Sequence, residues 1–557
     1  MLEQRKKTTQ NIYAIMIISA ALLLRCFLAW NNWPLLNSDE GTMGIMAIHI
    51  LHGERPIFFY GQNYMGTGEA YIGALLFQFF GISVFTLRLG LILLFALFLV
   101  CMYVLTWKLY TQKFAIFTLI ILSLGSNAVL SRQLVALGGY VETLFLTSLA
   151  FLLTYQLALS QSSNHVIKRL LMYGSWGVVI GLGLWSDLII FPWVIGIGIL
   201  LLLFCWRELL KGAILLVLLG LMLGTFPLIV YNIAAAPGQT TWAMLISLRG
   251  TVPLTFSIVL QQIKNTMEVS IPTITGNPFC HFDELPFLKI LGFEPSYPPS
   301  FQCHAVGFAW STLYLFLLAT SAGLVLFSLK KIIHTSQFSN STSQTATYFF
   351  QIILFFCCIV TLFIYLRSHA PLDGKAQYSR YLICLWVAAP LVLWPIWRGA
   401  TSIRYQLNRK FSIQLIKPLF YLSFLLILLT IFLYGTVKTV TEVPLARAAN
   451  TQESQLIQGL LDHHITHVYT DYWTCDRLAF QSQEHIICGV LTSGCTLNRS
   501  YHNRYAPYYT IVSNDPSASY LIQTDASCKQ AINLKMTKEG KKYRTFTLNE
   551  YTVAQPI

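Results

Sequence analysis

Apolar residues in this chain run in long unbroken stretches, and polar residues are confined to the connections between them. The stretches fall near 12–30, 83–106, 114–130, 140–158, 171–185, 188–205, 212–232, 306–328, 348–366, 381–397 and 415–437. A helix needs about 20 residues to cross the hydrocarbon core of a bilayer, so the pattern predicts about eleven transmembrane helices in a polytopic α-helical membrane protein. Arg5, Lys6 and Lys7 precede the first stretch. That stretch is too long for a secretory signal and no small-residue cleavage site follows it, so it reads as a retained first span.

The connections alternate in character. Lys108 and Lys113, Lys168 and Arg169, Arg207 and Lys211, Lys330 and Lys331, and Arg398, Arg404, Arg409 and Lys410 all fall in every second one, as cytoplasmic loops do. With residues 1–10 cytoplasmic, the segments 31–82, 233–305, 367–380 and the tail from about 438 are extracytoplasmic. The expected organisation is a membrane domain over 11–440, including the external loops 31–82 and 233–305, then a small extracytoplasmic α/β domain over 441–557. The expected location is the plasma (inner) membrane.

In the tail the pattern becomes that of a water-soluble fold. An amphipathic helix near 452–464 leads to strands near 467–472, 485–490 and 518–523, with a second helix near 476–482, and no glycine-rich phosphate fingerprint accompanies them. Asn503 to Tyr508 is an aromatic, proline-bearing loop that reads either as a packed turn or as an acceptor contact. In loop 31–82, Met43, Met46, Ala47, Ile50 and Leu51 repeat at helical spacing from Asp39 onward. This predicts a helix with one apolar stripe lying in the membrane interface, its His49 and His52 on the polar side, ended by Gly53 and Pro56. A second apolar helix is expected from Glu69 to Phe80, joined to the first by a glycine-rich turn over 61–68.

Composition supports the membrane reading: 55% of residues are hydrophobic and 11% charged, with a mean hydropathy of +0.59. The net charge of +14 sits largely in short loops without a groove-reading motif, so contact with lipid headgroups accounts for it and no nucleic-acid partner is expected. Cys280 and Cys303 share one external loop, and Cys475, Cys488, Cys495 and Cys528 share the tail. Both sets are even in number and read as disulfides or as buried thiols, with connectivity left open. His463, His464 and His467 have a spacing of interest for a metal, but a turn into a strand interrupts their helical face.

The polar patch Asn37, Ser38, Asp39, Glu40 and Gly41 follows directly on the first span. One reading is local, an Asn cap with acids in the first helical turn, worth about 0.3–1 kcal/mol. The other is chemical, because adjacent carboxylates at a membrane face mark function. Further along stand Ser131, Arg132 and Gln133, then Gly139, Tyr140, Val141 and Glu142, and later Ser379, Arg380 and Tyr381 ahead of a span that reaches Pro390.

A first span followed at once by an external loop with an acidic pair, two in-plane helices and about eleven spans resembles the GT-C membrane glycosyltransferases. It is most similar to the protein O-mannosyltransferase and aminoarabinose transferase group, glycosyltransferase family 39 and relatives, over roughly residues 11–440. The resemblance implies a GT-C-like fold, a polyprenyl-phosphate sugar donor and an Asp base in the first loop, here Asp39 with Glu40 beside it. It also implies a lipid-phosphate site at Arg380 and Tyr381, and an arginine and an acid in the second external loop, here Arg132 and Glu142. The acceptor is a glycan, lipid or protein hydroxyl, no cofactor is certain, and a divalent metal is left open. Two departures stand out: the lysine-proline motif of the aminoarabinose transferases is replaced by Gly66, Thr67, Gly68 and Glu69, and Glu142 stands where an Asp is usual.

The chemistry fits the residues. Sugar transfer from a lipid phosphate to a hydroxyl needs a carboxylate to take the acceptor proton and a cation to steady the departing phosphate. Arg380 offers a planar fork for that phosphate, Lys375 only a point charge; otherwise Arg380 is an interfacial anchor. Glu142, Arg132, Asp187 and Glu69 are further substrate-binding candidates, each at an outer membrane edge. Two other classes compete. A transporter or flippase would show inverted repeats and midplane charges, which are not evident, and a membrane-anchored assembly protein would leave the acidic loop unexplained.

Overall fold

The computed structural model describes residues 2–159, 166–249, 255–280, 301–334, 342–401, 416–492, 497–523, 526–540 and 542–557. The chain begins with α1 (Leu2–Trp30), then folds two helices of the first loop, α2 (Ser38–Leu51) and α3 (Gly68–Phe80), before returning to the bundle as α4 (Val84–Leu109). Next come α5 (Gln112–Ser123), α6 (Asn127–Arg132), α7 (Tyr140–Leu159), α8 (Val166–Ser186), α9 (Phe191–Glu208), α10 (Ile214–Gly224) and α11 (Phe226–Ala234). Short helices α12 (Thr241–Arg249), α13 (Phe256–Asn265) and α14 (Ile271–Thr275) precede α15 (Phe301–His334) and α16 (Thr342–Leu366). A 3-10 helix over Ala376–Ala388 runs into α17 (Ala389–Thr401), and α18 (Ile416–Thr441) leads out of the bundle.

Among the described residues, nine helical segments are long and apolar enough to cross a membrane, against about eleven expected. Two departures account for the difference. The stretch 114–130 breaks after Ser123, so α5 has only 12 residues. The stretches 188–205 and 212–232 do appear as two helices, α9 and α10, but the chain turns between them at Gly212 with φ 108°, a conformation open to glycine, and Leu188–Gly224 counts as a single segment among the nine. The span expected from 381 begins earlier, at Ala376, and its first half is wound as a 3-10 helix.

The tail is an α/β domain. After α19 (Val443–Asp462) come β1 (His467–Asp471), α20 (Tyr472–Gln481), β2 (Ile487–Leu491), α21 (Ala506–Asn514), β3 (Ser519–Gln523), α22 (Ala526–Glu539) and the hairpin β4 (Tyr543–Leu548) and β5 (Tyr551–Pro556). The sheet order is β2-β1-β3-β5-β4, with β1 parallel to β2 and β3, and β5 antiparallel to β3 and β4. The sequence pattern foretold α19 through β2 and β3 and missed α21, α22 and the closing hairpin. Cys475 and Cys488 form a disulfide that ties α20 to β2, and Cys280 pairs with Cys303. Cys495, the Cys528 side chain, and Arg404, Arg409 and Lys410 of the basic loop lie outside the described residues, as do parts of the 233–305 loop.

The largest difference from expectation is the burial of α2. Instead of floating with one apolar stripe in, it is buried from Glu40 to His49, because α20 of the tail domain lies across it. Two glycines permit the approach: a Cβ on Gly41 would stand 2.5 Å from the Asp476 carbonyl oxygen, and one on Gly44 2.5 Å from the Phe480 ring. Polar contacts lock the seam. The Ser38 hydroxyl donates to the Tyr472 carbonyl, and the Thr42 hydroxyl donates to Asp476 Oδ2 at 2.5 Å. Phe480, Tyr508 and Val512 belong to the same contiguous core as Met43, Met46, Phe95 and Phe151, so the tail domain and the bundle pack as one body at this point.

Candidate active site

The local geometry starts with Asn37, whose extended backbone and side-chain oxygen cap α2 by accepting the Glu40 N–H at 2.8 Å. Asp39 and Glu40 therefore sit in the first turn, about 100° apart around the axis. They meet opposite surroundings. Glu40 turns into the bundle and takes both Nε (2.8 Å) and Nη2 (2.6 Å) of Arg88 on α4, with both side chains 0% exposed. Asp39 turns outward and remains 18% exposed. Its Oδ1 accepts from the Tyr472 hydroxyl and from Arg504 Nη2 at 3.2 Å, and Arg504 Nε in turn donates to the Tyr472 oxygen at 3.1 Å.

Arg380 lies on the 3-10 helix close enough to Asp39 for their charges to interact. Its guanidinium stands over the rings of Tyr381 (5.4 Å) and Tyr140 (5.8 Å), and its buried Nε has no acceptor among the described residues. Arg132 braces this helix by donating to the Ala376 carbonyl (3.0 Å) and the Ser379 hydroxyl (2.9 Å). Tyr64, from the turn after α2, lies in electrostatic reach of Tyr381, Asp187, Arg380 and Arg504, which places it centrally. Lys375 is 59% exposed and faces Asp373 at 3.8 Å.

The remaining acids are turned into the scaffold. Glu69, buried at the start of α3, accepts the N–H groups of Gly138 and Gly139 at 3.0 Å each, and burial together with nearby Glu142 pushes its carboxyl up. Glu142 accepts from the Ser186 hydroxyl at 2.5 Å. Asp187 caps a short turn through the Ile189 N–H at 3.0 Å while sharing the electrostatic environment of Arg380. These groups fix the loops that frame the cleft.

The tail-domain residues are the ones missed by sequence reasoning. Arg504 belongs to the aromatic loop that read first as a packed turn, and nothing in the local pattern of Tyr472 announced it. Asp476, one turn along α20, is buried behind Thr42, and burial pushes its carboxyl up to about 7. Among the described residues one group of possible metal ligands lies close together, Cys475, Asp476 and Cys488, but its two sulfurs are bonded to each other. The three histidines are separated: His463 stacks on Phe546 and faces the Gly459 carbonyl, while His467 pairs with Asp515. His49, expected on a polar face, is buried between Tyr60 (2.8 Å) and Glu484 (2.9 Å).

An apolar cavity of about 250 Å³ opens among the spans, lined in part by Leu122, Gln133, Trp310, Leu385 and Trp386. Leu385 and Trp386 are on the helix that carries Arg380.

The fold, a membrane domain with a first-loop helix pair and a docked α/β domain, matches solved structures of other proteins. ArnT from Cupriavidus metallidurans shares it: in the apo state the TM-score is 0.56 at 11% identity over 98% of each chain. Bound to undecaprenyl phosphate, that protein gives 0.55 at 12% identity over 97% of each chain. The oligosaccharyltransferase of Archaeoglobus fulgidus in the apo form aligns with a TM-score of 0.48 at 13% identity, covering 92% of this chain and 69% of that one; the fold assignment rests on the first two. No protein-family model and no curated protein matches the chain.

Proposed function

We propose that this protein is a glycosyltransferase that moves a sugar from a polyprenyl-phosphate donor to an acceptor hydroxyl at the extracytoplasmic face of the membrane. The observation that carries the reading is the nearness of Asp39, an accessible carboxylate, to Arg380, an aromatic-flanked guanidinium with an unmatched buried donor, close enough for their charges to interact. In the proposed step the acceptor oxygen attacks the anomeric carbon as Asp39 takes its proton. The bond from that carbon to the phosphate oxygen breaks, and polyprenyl phosphate leaves with the electron pair. Arg380 meets the charge that grows on the phosphate, the moment at which a fixed guanidinium helps most.

The apolar cavity that begins on the same 3-10 helix suits the prenyl chain, and ArnT, which shares the fold, is a protein seen with undecaprenyl phosphate. Glu40 takes no part in the step; sealed against Arg88, it holds α2 so that Asp39 points outward. Tyr381 flanks the phosphate site, Arg132 steadies it, and Glu69, Glu142 and Asp187 shape the acceptor side.

The test is transfer by the purified protein from a panel of radiolabelled polyprenyl-phosphate sugars into protein, lipid and glycan fractions. Label moved by the wild type and lost in Asp39→Asn supports the proposal, and unchanged transfer in Asp39→Asn ends it. The side of the membrane is read separately. After mild reduction of intact cells, a membrane-impermeant thiol reagent is expected to label the half-buried Cys280 and Cys303; labelling only after permeabilisation reverses the orientation.

A further inference from the structure

We infer that the tail domain supplies a positioning residue to the transfer site: Arg504, seconded by Tyr472, fixes the orientation and charge of the Asp39 carboxylate. This deepens the proposed function and rests on Asp39 being the base. Both donors converge on one oxygen, Oδ1, which leaves Oδ2 clear of both. A carboxylate held this way presents one oxygen in a set direction, whereas an unheld one rotates about its last bond.

Arg504 is itself held from several sides. Its guanidinium lies over Phe59 (5.4 Å) and Tyr472 (5.2 Å), and the Gln62 amide oxygen, oriented to satisfy both groups, accepts from Nη1 at 2.9 Å and Nη2 at 3.0 Å. Phe59 and Gln62 come from the turn after α2, so the guanidinium bridges the first loop and the tail domain. A second network fastens the same two pieces without touching Asp39. The hydroxyls of Tyr60 (2.7 Å) and Tyr505 (2.9 Å) donate to Glu54, and Tyr508 donates to Glu484 (2.5 Å), which also faces His49. The loop is thus anchored independently of Arg504, and the guanidinium is available for a task other than docking.

Its electrostatic role follows from its neighbours. Among the described residues, charged or titratable groups that interact with Asp39 include Tyr472 and Asp476 on α20, Arg504 before α21, and Arg380 on the 3-10 helix. Arg504 Nη2 stands 3.2 Å from Oδ1, and an opposite charge at that range favours the ionised form of a carboxylate.

The experiment is the pH–rate profile of transfer for wild type, Arg504→Gln, Arg504→Lys and Tyr472→Phe, with Asp39→Asn in parallel. With the cation removed, Arg504→Gln is expected to move the acid limb upward by about one unit, while the lost orientation of the carboxylate cuts turnover roughly tenfold on the pH plateau. Arg504→Lys retains the charge and returns the limb toward the wild-type position. Tyr472→Phe removes one donated hydrogen bond and moves the limb in the same direction by less, which keeps the test open should Arg504→Gln fold poorly. An acid limb that stays in place in both Arg504→Gln and Tyr472→Phe overturns the positioning role, even where turnover falls. Transfer that persists in Asp39→Asn overturns the proposed base instead, so the two failures are told apart.

Discussion

Asp39 and Glu40 are neighbours in sequence and belong to the same helical turn, yet the two faces of α2 put them in different media. On the Glu40 face the carboxylate and Arg88 are fully enclosed and matched by two charge-assisted bonds. Such a pair contributes little net stability but is costly to break, because either partner left alone is a buried, uncompensated charge. On the Asp39 face the carboxylate keeps contact with solvent, and its cation comes from another domain. The same residue chemistry therefore fixes structure on one side and remains exchangeable on the other. The second arrangement is the one suited to a group that must accept and release a proton.

Substitutions at the two positions separate these roles. Asp39→Asn is expected to reduce transfer by about 10²–10⁴-fold, the usual worth of a positioned base, with thermal unfolding of the purified protein nearly unchanged. Equal loss of folded protein would erase the contrast. Glu40→Gln is expected to do the reverse, destabilising by about 3–5 kcal/mol while the surviving folded fraction retains transfer. A double change of Glu40→Leu with Arg88→Met should recover most of that stability in denaturation curves, since it removes both charges together.

Arg380→Lys sharpens the picture on the donor side. Loss of the planar fork is expected to cost about tenfold or more in turnover or apparent donor affinity, whereas Lys375→Arg, at an exposed site, stays within about twofold; equal effects would reduce Arg380 to an interfacial anchor. The smallest effect concerns Asp476 at the seam. An unfolded aspartate ionises near about 4, while burial holds the folded group at about 7. The folded state thus binds this proton more tightly. Its contribution is complete below about 4 and falls as pH rises through about 7, by at most about 1.4 kcal/mol per pH unit. Melting of the wild type between about pH 5 and 7 should show that slope, with levelling above it, and Asp476→Asn should flatten it.

The spans were legible in the sequence because bilayer crossing demands long apolar runs whatever their neighbours do. Where local geometry intervenes the runs misled: α5 stops at Ser123. The Asn37 cap and the helix it starts were readable from a few adjacent residues. The fates of Asp39 and Glu40 were not, because Arg88, Tyr472 and Arg504 lie far along the chain and none sits in a motif. The small residues Gly41 and Gly44 were visible in the sequence, but their meaning depended on knowing that α20 would cross them. Arg132, Glu142 and Glu69 stood out as charges near a membrane edge, which is true, yet their partners are backbone groups and serines that no pattern singles out.

The seam between α2 and α20 also sets an order of events in the life of the chain. Ser38 and Tyr472 are 434 positions apart, so during synthesis the glycine face of α2 emerges long before the helix that covers it. Until the tail has been made, moved to the same side and folded, that face has no partner and Asp39 lacks both of its donors. A truncated or half-translocated molecule is left with an uncovered helix and an unheld carboxylate, and the polypeptide itself delays reactivity until its own completion.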